Sequence, residues 1–471
     1  MLHVSTRGEA PAIGFTDALL TGLAPDGGLY VPEAWPSLSR DEIRGFAGRR
    51  YADVAKAVLG ALIGGEIPDS ALDAMVEDAY AGFRHRAVCP LVQLDDNLFL
   101  LELFHGPTLA FKDVAMQLLG RLMDHALKGR GARATIVGAT SGDTGSAAVE
   151  AFRGLDQVDI FILYPHGRVS DVQRRQMTTV DAPNVHAVAV EGSFDDCQNA
   201  VKAMFNHVRF REDLLLSGVN SINWARVAAQ AVYYFTAAVA LGAPHRAVSF
   251  SVPTGNFGDV LAGWVAKRMG LPVGRFMIGT NANDILARAL GSGAYELRAV
   301  QPTASPSMDI QISSNFERLL FEAYGRDGAA VRRLMGNLRQ SRAFLIDAEP
   351  LRRIRDEFAA QAVDETSVAA EMAATRQETG YVLDPHSAVG TRAARGLLSE
   401  RPDVPVVALA TAHPAKFPDA VQRATGMRPE LPPHLADLMS RRERFTVVAN
   451  DQTALERFVR ERARAVRGAA A

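Results

Sequence analysis

Cysteine is nearly absent from the 471-residue chain, with Cys89 and Cys197 the only two. That excludes a disulfide scaffold and any multi-cysteine metal site, leaves both thiols as buried or idle, and makes a reducing cytosol the natural compartment. No metal is expected. Long hydrophobic runs are also missing: no stretch of about eighteen uninterrupted apolar residues occurs, so no membrane span is expected. The N-terminus shows no basic segment followed by an apolar core, so no secretory signal is expected either, and the protein should act where it is made, in the cytoplasm. Neither sign of charge dominates. The 51 Lys and Arg against 53 Asp and Glu give a formal net charge of −2, which offers no bulk reason to bind nucleic acid or an anionic membrane. Nucleotide signatures are missing as well: there is no G-x-x-x-x-G-K-[ST], and no G-x-G-x-x-G followed by an acidic residue for a ribose.

What is present is a chain too long for one ordinary core, so two or three domains are expected. Hydrophobic residues make up 48% and charged residues 22%, near the average for globular proteins. Residues 1–98 read mainly as helix and loop, with apolar residues at helical spacing over 41–58 and 69–83 and acidic residues near both starts. From 99 onward short apolar runs alternate with helical stretches. The runs at 134–137, 159–163, 185–190, 248–252, 274–278 and 404–409 are apolar throughout, which argues for parallel strands covered on both faces. Over 281–380, Pro302, Pro306 and a helical 352–376 point to an accessory subdomain. The tail, 460–471, is dominated by arginine and alanine and is either a terminal helix or frayed.

Three segments carry the chemistry. Lys112 lies in Phe104-His-Gly-Pro-Thr-Leu-Ala-Phe-Lys-Asp113, a Gly/Pro-punctuated apolar turn that runs into a helical pattern over 114–127. Ala134-Thr-Ile-Val-Gly-Ala-Thr-Ser-Gly-Asp-Thr-Gly-Ser146 reads as strand, small-residue loop and helix. Ala247-Val-Ser-Phe-Ser-Val-Pro-Thr-Gly-Asn-Phe-Gly-Asp259 repeats that grammar. Both loops set backbone N–H groups at a helix N-terminus, where unpaired donors and the helix dipole favour an anion. A lysine with two separate anion cradles fits a phosphorylated aldehyde held by an imine. Such a lysine must lose its proton to react, and burial beside Phe111 would lower its pKa.

In this order and with these neighbours, the segments resemble the threonine synthases among the pyridoxal-phosphate-dependent enzymes of fold type II. The resemblance extends to Val4-Ser-Thr-Arg-Gly8, Gly14-Phe-Thr-Asp-Ala-Leu-Leu20, Ala24-Pro-Asp-Gly-Gly-Leu-Tyr-Val-Pro32 and Asp384-Pro-His-Ser-Ala-Val-Gly390, so it spans nearly the whole chain. The N-terminal signature is that of the longer microbial and fungal branch.

The resemblance implies an α/β fold in which two parallel-sheet domains face each other across a cleft, plus a mainly helical N-terminal domain. The implied boundaries are 1–98 for the N-terminal domain, 99–129 and 229–471 for the large cofactor-binding domain, and 130–228 for the small one. It implies pyridoxal 5'-phosphate as cofactor and Lys112 as the residue that carries it and moves protons. Gly255, Asn256, Phe257 and Gly258 are assigned to the cofactor phosphate, flanked by Thr254 and by Asp259, the latter more readily a helix cap or first-turn acid. Asp143 falls near the ring hydroxyl and Thr411 at the ring nitrogen, while Ser141, Gly142 and Thr144 fall to the substrate carboxylate.

A substrate phosphate needs charge-assisted donors, and the candidates are Ser221, Asn223, Arg226 and Lys416, with structural ion pairs the competing reading for the two cations. His386 and His413 stay outside the set as hydrogen-bonded loop residues. The implied reaction is a carbon–oxygen lyase step, the last of threonine biosynthesis: O-phospho-L-homoserine and water give L-threonine and phosphate, in a monomer or homodimer. The alternatives are a serine or threonine dehydratase or β-replacement synthase, which shares Lys112 but needs no Arg226 with Lys416, a phospholyase that releases a keto acid, and a noncatalytic phosphometabolite-binding protein.

Overall fold

A computed structural model describes residues 1–140 and 142–465. Ser141 and the tail end, 466–471, lie outside the described residues. The chain divides into two compact units, one of residues 1–18, 23–111 and 221–430, the other of 19–22, 112–220 and the residues from 431 on.

In the first unit a six-stranded sheet has the order Phe358–Ala362, Val273–Thr280, Val248–Pro253, Val406–Ala410, Leu98–Glu102, Leu91–Asp95. All neighbours are parallel except the last pair, an antiparallel hairpin. Val248–Pro253 and Val406–Ala410 are buried along their whole length, which is why they read as continuous apolar runs. Helix Pro385–Glu400 lies close against the first of them: Ser251 Oγ donates to Gly390 O at 2.7 Å, and a Cβ at Gly390 would come within 2.9 Å of Pro253 Cδ. Helix Trp224–Ala240 packs on helices Gly258–Arg268 and Tyr51–Ile63.

In the second unit five parallel strands run in the order Thr446–Ala449, Val185–Glu191, Val158–Pro165, Ala134–Ala139, Leu216–Ser217. Val137, Phe161, Leu163, Val188 and Val190 meet Met204, Phe210 and Leu455 in one core. Helices Lys112–Gly129 and Asp143–Phe152 approach so closely at Gly120 that a Cβ there would sit 2.5 Å from Ala151 O.

All six strands expected from apolar runs are present, each in a parallel ladder. Other expectations need correction. The helical spacing over 41–58 resolves into Arg40–Arg44, closed by a Ser39 capping box, and Tyr51–Ile63, with Gly48 at φ 70° between them. Residues 1–98 also hold an antiparallel sheet of Leu2–Ser5, Ile13–Gly14 and Tyr30–Pro32, strands too short for alternation to register.

The expected helix over 352–376 is interrupted by the strand Phe358–Ala362. Its sequence Phe-Ala-Ala-Gln-Ala favours helix locally, but pairing with Phe276–Thr280 overrides that preference. The boundaries shift too. Residues 1–98 cluster with the six-stranded sheet apart from 19–22, while 112–129 and the residues from 431 on join the other unit. Thr446–Ala449 pairs with Val188–Glu191, and helix Gln452–Arg460 packs on Phe194–Asn206.

Candidate active site

In parallel sheets, loops at the carboxyl ends of adjacent strands form the ligand-facing edge. Val248–Pro253 and Val406–Ala410 are such neighbours, so their continuations, Thr254-Gly255-Asn256-Phe257-Gly258 and Thr411, share one edge of the first unit. The first loop leads into helix Gly258–Arg268, whose N-cap, Phe257, makes no side-chain cap. The opening amides of that helix have no intrahelical acceptor. The loop's carbonyls are turned to protein donors: Ser313 Oγ to Gly255 O at 2.7 Å, and Asn315 N and Nδ2 to Asn256 O at 3.1 and 3.0 Å. A Cβ at Gly255 would come within 3.1 Å of Ser307 O. Phe257 holds φ 64°, unusual for a residue with a side chain, and its ring is buried against Phe316 and Phe358 at 5.3 and 5.9 Å. The part of its side chain in the loop is therefore conformational.

Asp259 does not face the loop's anion side. Its Oδ1 accepts the hydroxyls of Tyr233 and Tyr234 at 2.5 and 2.9 Å. Burial first and the Asp259 charge second push both phenols well above their ordinary pKa, so they stay donors.

Arg318, fully buried, ties several segments together. It donates to Tyr30 O at 3.0 Å, to Ile222 O at 2.7 Å and to Asn315 Oδ1, and Asn315 Nδ2 also reaches Ser221 O at 3.0 Å. Burial lowers the guanidinium to about 9. The Gly255 loop and the Ser221 segment thus hang on one Asn–Arg pair that lies between them and the N-terminal sheet. Neither residue stands in a recognisable motif, so only contacts across up to 288 positions reveal them.

Asn223 caps helix Trp224–Ala240, its side chain accepting from Ala225 N at 3.0 Å. Arg226 occupies the third helical position, 5% exposed, and burial lowers it to about 10. Both burial and the positive end of the helix disfavour a cation at this position. Lys416, fully buried, donates to Thr108 O at 2.7 Å. This bond lies within a wider pairing of the turn before Lys112 with the strand end: Leu103 N to Ala410 O at 2.9 Å, Phe111 N to Thr411 O at 2.8 Å, His413 N to Leu109 O at 3.0 Å.

In the second unit Lys112 opens helix Lys112–Gly129, 8% exposed. Its Nζ lies 3.6 Å from Asp143 Oδ2, and Asp143 opens helix Asp143–Phe152. Gln173 Nε2 donates to Asp143 Oδ1 at 2.9 Å, while Ser170 Oγ donates to Gln173 Oε1 at 2.9 Å and so fixes the amide's orientation.

Thr140 Oγ1 accepts from Gly142 N and Gly145 N, both at 2.9 Å. Two amides counted toward an anion cradle are therefore taken up inside the loop; Thr144 is half-buried, and Ser141 is outside the described residues. Gly142 sits at φ 148°, ψ −80°, where a Cβ would come within 2.4 Å of Gln173 Cδ. Thr140 and Gln173 were missed by sequence reasoning. A hydroxyl flanking the SGDTG run was the one available signal, and Gln173 had none.

Among the described residues no group of three His, Cys, Asp or Glu side chains is placed to hold a metal ion, and no helix is long and apolar enough to cross a membrane. Cys89 and Cys197 are buried and form no disulfide.

Three family models match the chain: threonine synthase N terminus over residues 2–80, pyridoxal-phosphate dependent enzyme over 88–334, and threonine synthase, C-terminal, over 387–459. The threonine synthase of Pseudomonas aeruginosa is 52% identical over 460 residues, covering 98% of each chain. That of Saccharomyces cerevisiae is 43% identical over 456 residues, covering 90% of this chain and 89% of its own. Among solved structures, a pyridoxal-phosphate-bound threonine synthase from Brucella melitensis matches with a TM-score of 0.97 at 62% identity, covering 99% of this chain and 100% of that one. The yeast enzyme matches at 0.93 and 38%, covering 98% of each.

Proposed function

The chain belongs to the threonine synthase family of fold-type-II pyridoxal-phosphate enzymes, and from that premise we propose that it converts O-phospho-L-homoserine and water into L-threonine and phosphate. The observation that carries the reading is the pairing of an open helix N-terminus after Val248–Pro253 with Thr411 after the neighbouring parallel strand, joined in the chain by a buried lysine that opens its own helix.

The residues fit pyridoxal phosphate. Gly255 leaves little room for a side chain, the Gly255 and Asn256 carbonyls are turned to Ser313 and Asn315, and the amides of Asn256 to Gly258 are suited to hold a phosphate. Thr411 offers a neutral hydroxyl to a ring nitrogen. When bound, the cofactor supplies an electron sink for the carbons of an attached amino acid.

Lys112 carries the cofactor and then moves protons at the substrate carbons, first off Cα and later to and from the carbons beyond it. Asp143, held by Gln173, keeps a carboxylate beside that amine. The Ser141–Thr144 loop binds the substrate carboxylate through Ser141 and Thr144, while the Gly142 amide, held by Thr140, shapes the loop. Arg226, with Ser221, Asn223 and Lys416, clamps the substrate phosphate so that it leaves as a stabilised dianion, and water adds at Cβ. The helix-end position of Arg226 supports this role over a purely structural one.

We also place the enzyme in the cytoplasm, as a monomer or homodimer; sedimentation of the purified chain decides between the two. The test of the reaction is to incubate the cofactor-loaded chain with O-phospho-L-homoserine and assay phosphate, L-threonine and 2-oxobutanoate together, with Lys112→Ala as control. Equal threonine and phosphate, both lost in the variant, support a threonine synthase. Phosphate with keto acid and little threonine would make it a phospholyase.

A further inference from the structure

The segment Asp384-Pro-His-Ser387 has no part in the roles above, yet its side chains reach Thr411 on the ligand-facing edge and the Ser307 turn seated against Gly255. Asp384, the N-cap of helix Pro385–Glu400, is fully buried and its carboxylate takes four donors. Oδ2 accepts His386 N at 3.0 Å and lies 2.7 Å from His386 Nδ1. Oδ1 accepts Ser387 N at 2.9 Å and the Ser387 hydroxyl. Capping needs only the two backbone donors; the other two are side chains whose far sides act elsewhere.

Ser387 Oγ, its proton given to Asp384, accepts Thr411 N at 3.1 Å. His386 Nε2 accepts Ser307 N at 3.2 Å, which leaves the ring proton on Nδ1, pointed at Asp384. Beyond these, Thr411 O is held by Phe111 N, next to Lys112, and Ser307 O is the atom a Cβ at Gly255 would meet.

We propose that Asp384 is a positioning residue with two arms: through Ser387 it fixes the peptide carrying the Thr411 hydroxyl, and through His386 it fixes the Ser307 turn seated against Gly255. The inference rests on the assignment of Thr411 and the Gly255–Gly258 loop to the cofactor. A carboxylate is required because all four partners donate. An amide would turn an NH2 group toward two of them.

The two arms give separable signals in the reconstituted full-length protein. Ser387→Ala is expected to shift the visible absorption band of bound pyridoxal phosphate and raise its dissociation constant about tenfold, with the phosphorus NMR signal of the cofactor phosphate unmoved. His386→Phe, which keeps the ring packing on Phe417, is expected to move the phosphorus signal and spare the visible band. Asp384→Asn should do both. If it fails to fold, the two single-arm variants, which keep the capping carboxylate, decide.

Variants that only lower Tm, with band, phosphorus signal and affinity as in wild type, would reduce Asp384 to a helix cap and overturn the proposal. Thr411→Ala separates the underlying assignment. A band and affinity indifferent to that change would refute the role of Thr411 itself, and the Ser387 arm with it.

Discussion

Replacing Arg226 by methionine should remove the protein's response to phosphate. The guanidinium is 5% exposed and held by burial at about 10, against an ordinary value above 12. Two or more decades at about 1.4 kcal/mol each correspond to roughly 3 kcal/mol spent on keeping this charge inside the fold. The folded value lies below the unfolded one, so the folded chain binds fewer protons only between the two. The penalty is thus constant through about pH 6–9, and stability regains it only above pH 10.

Methionine keeps much of the volume and removes the charge, so the gain in stability above pH 10 should be absent from the variant. Wild type should gain up to about 2.7 kcal/mol from inorganic phosphate at a hundredfold excess over its dissociation constant, and Arg226→Met should gain almost none. Differential scanning calorimetry with and without phosphate reads both. A variant that still gains stability from phosphate as wild type does would refute the reasoning and make Arg226 a structural cation.

Gly142→Ala should cost roughly 1–3 kcal/mol of stability from backbone strain and displace the Gln173 amide, which a Cβ would meet at 2.4 Å; chemical denaturation and cofactor reconstitution measure the two effects. Asp259→Asn should leave cofactor affinity within about threefold of wild type while lowering stability by about 1–3 kcal/mol, because its carboxylate serves Tyr233 and Tyr234; a large affinity loss in a fluorescence titration would place it on the phosphate after all. His3 is fully buried, and burial lowers it to about 4. Below pH 6.5 the unfolded chain takes up a proton that the folded one refuses, so wild type should lose up to about 3 kcal/mol relative to His3→Leu by pH 4, as seen in denaturant midpoints across that range.

The parts of the site visible in the sequence are those whose chemistry is local. Lys112 announced itself by its turn, and the two loops by small residues placed where an apolar strand gives way to a helix. What stayed hidden acts across the chain. Gln173 reaches Asp143 over 30 positions and Arg318 reaches Tyr30 over 288, with no periodicity to mark them. Asp259 was legible as a first-turn acid, but its tyrosine partners were not. In the fold, continuous apolar runs gave the central strands, whereas Phe358–Ala362 exists only because Phe276–Thr280 offers it a ladder, and Thr446–Ala449 is mostly exposed, so burial left no pattern in it.

The most direct test of β,γ-replacement is turnover of O-phospho-L-homoserine in heavy-oxygen water, with both products analysed by mass spectrometry. One labelled oxygen in the threonine side chain and none in the released phosphate is the expected result. Label in the phosphate would mean that water attacks phosphorus, and that Lys112 and its loops serve some other reaction.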